Sequence, residues 1–400
     1  MNSISTSQEE LYLAIKELNQ NGFVYQYYTD EVYDGRILTV NGRKLLHFAN
    51  CSYLGLETHP ALKDAAVEAV KKYGTQNSMS RAMVSTPLYK KAEENLSKMF
   101  PGNQIIFPTT TLAHCSCIPN LIGPKDAIIL DAYVHNSVRM GSQLCKANGT
   151  FILLSKHNDF EHIKYLYHRL KKENYEKVWY LADGVYSIHG NFCKAKELKN
   201  LLDEEEDFYA YIDDAHGLGW HGNTGQGVVL ETIEIHDKLV VAGGFAKSIS
   251  ANGGLVVVKD KLLAEKLKFT GQTMIFSGPL QPAVLGTLVA STELHLSGEL
   301  SKFQNELLEK INYFRQLAIK LQLPIVTTDI SPIQLLRIGN TEQTYYILKR
   351  LIENGFFSMT ASYPAIEKGD EGIRITITRY LKLDDIKDFV YCISEVLKEN

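Results

Sequence analysis

Seven short apolar runs between residues 105 and 258 set what this 400-residue chain can fold into. They are Ile105–Phe107, Ala127–Leu130, Phe151–Leu154, Val178–Leu181, Tyr209–Ile212, Leu239–Ala242 and Leu255–Val258. As a set they are rich in Val, Ile and Leu, and most lack the in–out alternation of a sheet with one wet face. Stretches with helical spacing separate them. Strands of this kind are buried on both faces, so the runs predict an α/β fold: a mainly parallel seven-stranded sheet with helices on either side. Ligands of such sheets lie beyond the carboxyl ends of the strands. Thr109, Asp131, Asp183, Asp213 and Gly243 fall there.

The flanks read differently. Glu9–Asn19 has the spacing of an amphipathic helix, with Leu11, Ile15 and Leu18 on one side. Phe23–Tyr28 and Arg36–Val40 read as extended runs, and Asn41-Gly42 turns the chain into Leu45–Phe48. Too few apolar residues lie here for an independent core, so residues 1–50 are expected to form an N-terminal arm, ahead of a large domain over 51–284. Within that domain Ala61–Tyr73 reads as a helix that starts after Pro60 and stops at Gly74. From Ala283 to Leu323 helical spacing dominates. Strands at Ile325–Val326, Ile333–Ile338 and Ile373–Thr378 then alternate with helices over Thr341–Asn354 and Leu383–Lys398. Residues 285–400 thus read as a smaller C-terminal α/β domain.

Composition removes several classes of function. A net charge of −4 leaves no electrostatic footprint for nucleic acid. No apolar run reaches transmembrane length, so membrane insertion is not expected. The first residues lack a basic region followed by an apolar stretch, which points to a cytoplasmic protein. The six cysteines are scattered. Cys115-x-Cys117 has no second pair at metal-binding spacing, so no metal is expected and the thiols read as reduced.

The chemistry gathers around Phe208–Gly227. Its apolar start ends in Asp213-Asp214-Ala215-His216, a glycine-rich turn follows, and Lys247 stands thirty-four residues after Asp213, just past the next apolar run. A strand-end aspartate is ordinarily a helix cap, and a lone lysine is ordinarily a solvated charge. Together, at adjacent strand ends, they suit a pyridoxal phosphate (PLP) site. The lysine supplies the Schiff-base amine, and the aspartate keeps the pyridine nitrogen protonated so that the ring withdraws electrons.

With that pair in hand, the chain resembles the α-oxoamine synthase family of fold-type I PLP-dependent transferases from about Gly22 onward. The matching stretches include SYLGLETHPALKDAA, ILDAYVHNSVRMGSQL, DGVYSIHGN, IDDAHGLGWHG, GGFAKSISANGG and GIRITIT. The resemblance implies that Lys247 carries the cofactor and removes the substrate Cα proton, and that Asp213 pairs with the ring nitrogen. It implies that His216 and Ser187 reach the phenolic oxygen and that His135 stacks on the ring. Thr110 and Thr111 would offer backbone N–H groups to the phosphate, with Gly244 beside it and Ser277 reaching it from a partner subunit. Arg374 would hold the substrate carboxylate near Cys51.

The resemblance also implies the reaction. A small α-amino acid condenses with an acyl-CoA, carbon dioxide is lost, and an α-aminoketone is released by a homodimer with shared active sites. Some positions depart from the family pattern. Cys51 stands where an asparagine is usual, Pro108-Thr109-Thr110-Thr111 where Ser-x-Gly-aromatic is usual, and Gly244 where a phosphate-binding threonine is usual. Gly217, Ser85 and Lys90 also differ. The same scaffold hosts aminotransferases and aldolases or lyases, and a non-catalytic partner subunit is a further alternative that retention of Lys247 argues against.

Overall fold

The computed structural model describes residues 6–363 and 366–399, and the chain divides into two compact units. The larger comprises residues 54–187 and 191–304, the smaller residues 1–53, 188–190 and 305–400. The stretch expected as an arm over residues 1–50 thus lies in the same unit as residues 305–400. Residues 285–304 lie in the larger unit. The helix Pro282–Leu296 packs there so closely on Pro60–Tyr73 that a Cβ on Gly286 would sit 2.5 Å from the Ala65 carbonyl oxygen.

All seven apolar runs are strands of one sheet in the larger unit. Its spatial order is Asn103–Phe107, Gly254–Val258, Leu239–Gly244, Phe208–Asp213, Val178–Asp183, Ala127–Asp131 and Phe151–Ser155. The last five run parallel to one another. Gly254–Val258 is antiparallel to both of its neighbours. Alternate side chains feed two separate cores. Tyr180, Ala182, Ala210, Ile212 and Val241 join one face, and Trp179, Leu181, Tyr211, Val240 and Ala242 join the other. With both faces apolar the strands show no polar alternation, which is why they read as solid runs. Phe151–Ser155, at the sheet edge, is the exception, with Leu154 58% exposed.

The smaller unit holds two three-stranded sheets. One pairs Ile37–Val40 with Arg43–His47 and adds Phe356–Phe357; the other sets Gly372–Thr376 between Ile333–Arg337 and Met359–Ala361. The Asn41-Gly42 turn is present, with both residues at positive φ, as a two-residue hairpin loop requires. Two expected strands are not. Phe23–Tyr28 is a series of turns in which Tyr28 alone bridges to Val40. Tyr25 takes φ +55° there, and Tyr25 and Tyr27 are exposed, so of the run's aromatic residues only Phe23 is buried, against Tyr345. Ile325–Val326 is reduced to a single bridge from Ile325 to Leu336. No disulfide joins any of the six cysteines, and among the described residues no helix is long and apolar enough to cross a membrane.

Candidate active site

Parallel register places Asp183 directly beside Asp213 at the carboxyl ends of two central strands. Asp214 follows, and the two adjacent aspartates do different work. The carboxylate of Asp214 is fully buried and turns away into the glycine-rich turn, where the Val229 N–H donates to its Oδ2 at 3.0 Å. A Cβ on Gly184, Gly217 or Gly227 would collide with this carboxyl group. The glycines of the turn therefore clear space for Asp214. Burial, with Oδ1 lacking a hydrogen-bond partner among the described residues, pushes its pKa up to about 7.

Asp213 instead faces a cavity of about 190 Å³, lined also by Thr109, Thr110, Thr111, His135, Asp183, Val185, His216 and Lys247. Burial opposes ionisation of Asp213, but the neighbouring His114, Lys247 and His135 outweigh it and hold its pKa down to about 2. Burial and the charge of Asp213 drive Asp183 the other way, well above the usual carboxylate range. Two adjacent carboxyls in one dry site are thus pushed in opposite directions. The carboxyl of Asp183 accepts from the His135 N–H at 3.0 Å.

His135 caps the helix Asn136–Ala147. Its Nδ1 accepts from the Ser137 N–H and stands 2.6 Å from the Ser137 hydroxyl, which places the ring proton on Nε2. Burial lowers its pKa, against the opposing pull of the Asp213 carboxylate. The helix Thr110–Leu121 starts at the cavity wall. Thr109 is its N-cap, accepting from the Leu112 N–H at 3.1 Å, and this aims the helix N-terminus and its partial positive charge at the cavity. Gly244 ends the strand before Lys247, and a Cβ there would overlap the Thr110 hydroxyl oxygen. Lys247 itself sits on the connection between two antiparallel neighbours. The Phe245 N–H donates to the Gly253 carbonyl at 3.0 Å and the Ala251 N–H to the Phe245 carbonyl at 2.9 Å.

The structure therefore brings Lys247, Asp213, His135, His216, Thr110 and Thr111 onto one cavity, with Gly244 against Thr110. Ser187 is not among the lining residues, although Val185 is. The Ser277 hydroxyl donates back to the Thr273 carbonyl, next to a Phe276 side chain that is 84% exposed. Arg374 and Cys51 stand together in the smaller unit. Arg374 Nη2 lies 3.6 Å from Cys51 Sγ, and the guanidinium is buried.

One residue of the site escapes sequence reasoning. His114, fully buried, places Nε2 2.9 Å from Asp213 Oδ2 and Nδ1 2.9 Å from the Tyr211 hydroxyl. An ionised Asp213 can only accept, so Nε2 carries the proton. The available signal was spacing: His114 lies one helical turn after Thr110, on the face that the Thr110 end turns toward the strands.

These residues fit PLP. An ionised buried carboxylate, a lysine amine and a helix N-terminus converge on one cavity, and the bare Gly244 lets the helix start approach the sheet. The protein's relatives agree with the geometry. Residues 43–388 match the family described as aminotransferase class I and II. The 8-amino-7-oxononanoate synthase of Treponema denticola is 30% identical over 373 residues, covering 92% of each chain. The serine palmitoyltransferase of Sphingobacterium spiritivorum is 28% identical over 388 residues, covering 96% of this chain and 94% of that one. Among solved structures, Sphingomonas wittichii serine palmitoyltransferase matches with a TM-score of 0.90 at 22% identity, covering 100% of this chain and 99% of its own.

Proposed function

The chain belongs to the aminotransferase class I and II family, as an α-oxoamine synthase, and on that premise we propose that it is a PLP-dependent C-acyltransferase. It condenses a small α-amino acid with an acyl-CoA, releases carbon dioxide and coenzyme A, and yields an α-aminoketone. The observation that carries this reading is the single cavity shared by Lys247 and an Asp213 that stays ionised at neutral pH.

PLP, when bound, supplies an electron sink for the charge that develops at the amino acid's Cα. The chain's own residues do the rest. Asp213 keeps the ring nitrogen protonated. The Lys247 amine would hold the cofactor and would take the proton from the amino acid's Cα. His135 presents its imidazole to the ring, and His216, which lines the same cavity, serves its phenolic oxygen. Thr110 and Thr111 receive the phosphate at the helix N-terminus. Arg374, already charged and buried beside Cys51, holds the substrate carboxylate, for which a planar guanidinium is suited.

We place the protein in the cytoplasm as a homodimer, with Ser277 serving the partner's site. An exposed apolar patch supports the dimer. Met83, Val84 and Phe276 are all exposed, and the Ser80 hydroxyl ties their two segments together by donating to the Ile275 carbonyl at 2.7 Å.

The test is spectroscopic and then chemical. Purified protein reconstituted with PLP is expected to show the cofactor's visible band, which shifts with one of glycine, L-alanine or L-serine. Lys247→Ala is expected to lose the band and to cut turnover by roughly 10²–10⁴-fold or more. Thiol release from an acyl-CoA panel should then depend on that amino acid. Amino exchange with a ketoacid, without thiol release, would replace condensation by transamination.

A further inference from the structure

The three threonines at the start of the helix Thr110–Leu121 are not equivalent. The Thr109 hydroxyl is committed to the cap, accepting from the Leu112 N–H. The Thr110 hydroxyl has no hydrogen-bond partner among the described residues, yet Thr110 lines the cavity. Across from it lies Gly244, the last residue of the strand that leads to Lys247. A Cβ at 244 would occupy the space that Thr110 Oγ1 fills, and the next nearest atom, Thr110 Cβ, would be 3.6 Å away. The conflict is thus with the hydroxyl alone. Gly244 is not at positive φ, so backbone conformation does not demand glycine there; the Thr110 side chain does. One pocket of space serves two positions, and in this chain the helix fills it.

We infer that the Thr110 hydroxyl is a phosphate donor of the cofactor site and that Gly244 is the vacancy that lets it point there. The inference rests on the PLP reading and adds a side-chain ligand to the backbone N–H groups of the helix start. A hydroxyl beside a helix N-terminus can donate to a dianion that those N–H groups and the helix dipole already attract. It also makes residues 110 and 244 one functional unit: any side chain at 244 must turn the Thr110 hydroxyl away.

The test uses apoprotein titrated with PLP and, separately, with pyridoxal, which lacks the phosphate. Thr110→Ala removes the hydroxyl without adding bulk and is expected to weaken PLP about tenfold or more while leaving pyridoxal unchanged, the loss of one hydrogen bond to a charged group. Gly244→Ala should produce the same selective loss, and the double substitution should be no worse than either single one, because both remove the same contact. Thr110→Gly with Gly244→Thr moves the hydroxyl to the opposite wall and should recover PLP binding relative to Gly244→Thr alone. Inorganic phosphate should compete with PLP less well in Thr110→Ala than in the wild type. An unchanged ratio of PLP to pyridoxal affinity in Thr110→Ala, or additive losses in the double substitution, would overturn the inference. A wild-type protein that takes up neither compound would overturn the cofactor reading beneath it, a different result.

Discussion

His114, not among the residues that line the cavity, supports Asp213, and its hydrogen bond is one of the forces that outweigh burial there. Without it burial gains, and the Asp213 pKa moves up from about 2. His114→Ala is therefore expected to lower kcat by roughly 10- to 100-fold, as loss of an outer partner of a functional group commonly does. The acidic limb of the pH–rate profile should move to higher pH, because Asp213 then protonates at a less acidic pH. His114→Gln, which can still donate, should recover part of both. A profile that keeps its acidic limb in place would count against the support. At this scale the sequence was legible where chemistry is tied to strand ends: Asp213 and Lys247 could be placed because the apolar runs before them are unmistakable. His114 was not, because a buried histidine inside a helix looks the same whether it packs or supports. Thr110 and Gly244 were each visible as departures from a pattern, but only folding brings them into contact and makes them one change.

Helices and strands carry the next set of consequences. The strand ending at Asp213 continues into the turn that buries Asp214, and there folding favours the protonated carboxyl. Its pKa is about 7 in the fold against an ordinary 3.8. The fold binds the proton more tightly than the unfolded chain does, so this contribution to stability is whole below about pH 4 and is lost as pH rises toward 7. Asp214→Asn, which cannot titrate, should compare better with the wild type at pH 8 than at pH 5 in parallel urea titrations. An equal difference at both values would show that the carboxyl is ionised throughout. Packing between helices makes an independent demand. Gly286→Leu would force the Pro282–Leu296 helix away from Ala65, at a cost of about 1–3 kcal/mol seen as a lower urea midpoint. All seven strands of the large sheet could be read from their apolar runs, but their order could not. Nothing local says that Gly254–Val258 inserts between Asn103–Phe107 and Leu239–Gly244. Phe23–Tyr28 shows the converse, since aromatic residues favour a strand only where a partner and a core await them.

For the whole molecule, the exposed patch of Met83, Val84 and Phe276 makes assembly testable. Phe276→Glu is expected to shift sedimentation from dimer toward monomer and to lower activity together with it, whereas a fully active monomer would remove the shared-site arrangement. The antiparallel placement of Gly254–Val258 also has a mechanical side. In a parallel sheet a residue past a strand end usually rides on the connection to a crossover helix, and small helix shifts can carry it along. Lys247 rides on a loop clasped at both ends by the same two hydrogen-bonded strands, Gly244 facing Gly254. Its backbone can move far only if that ladder unzips, so the reach of the amine is set by its own side-chain torsions. Backbone amides of Phe245 and Ala251 should therefore exchange with solvent on the slow timescale of the sheet, whether or not the cavity is filled.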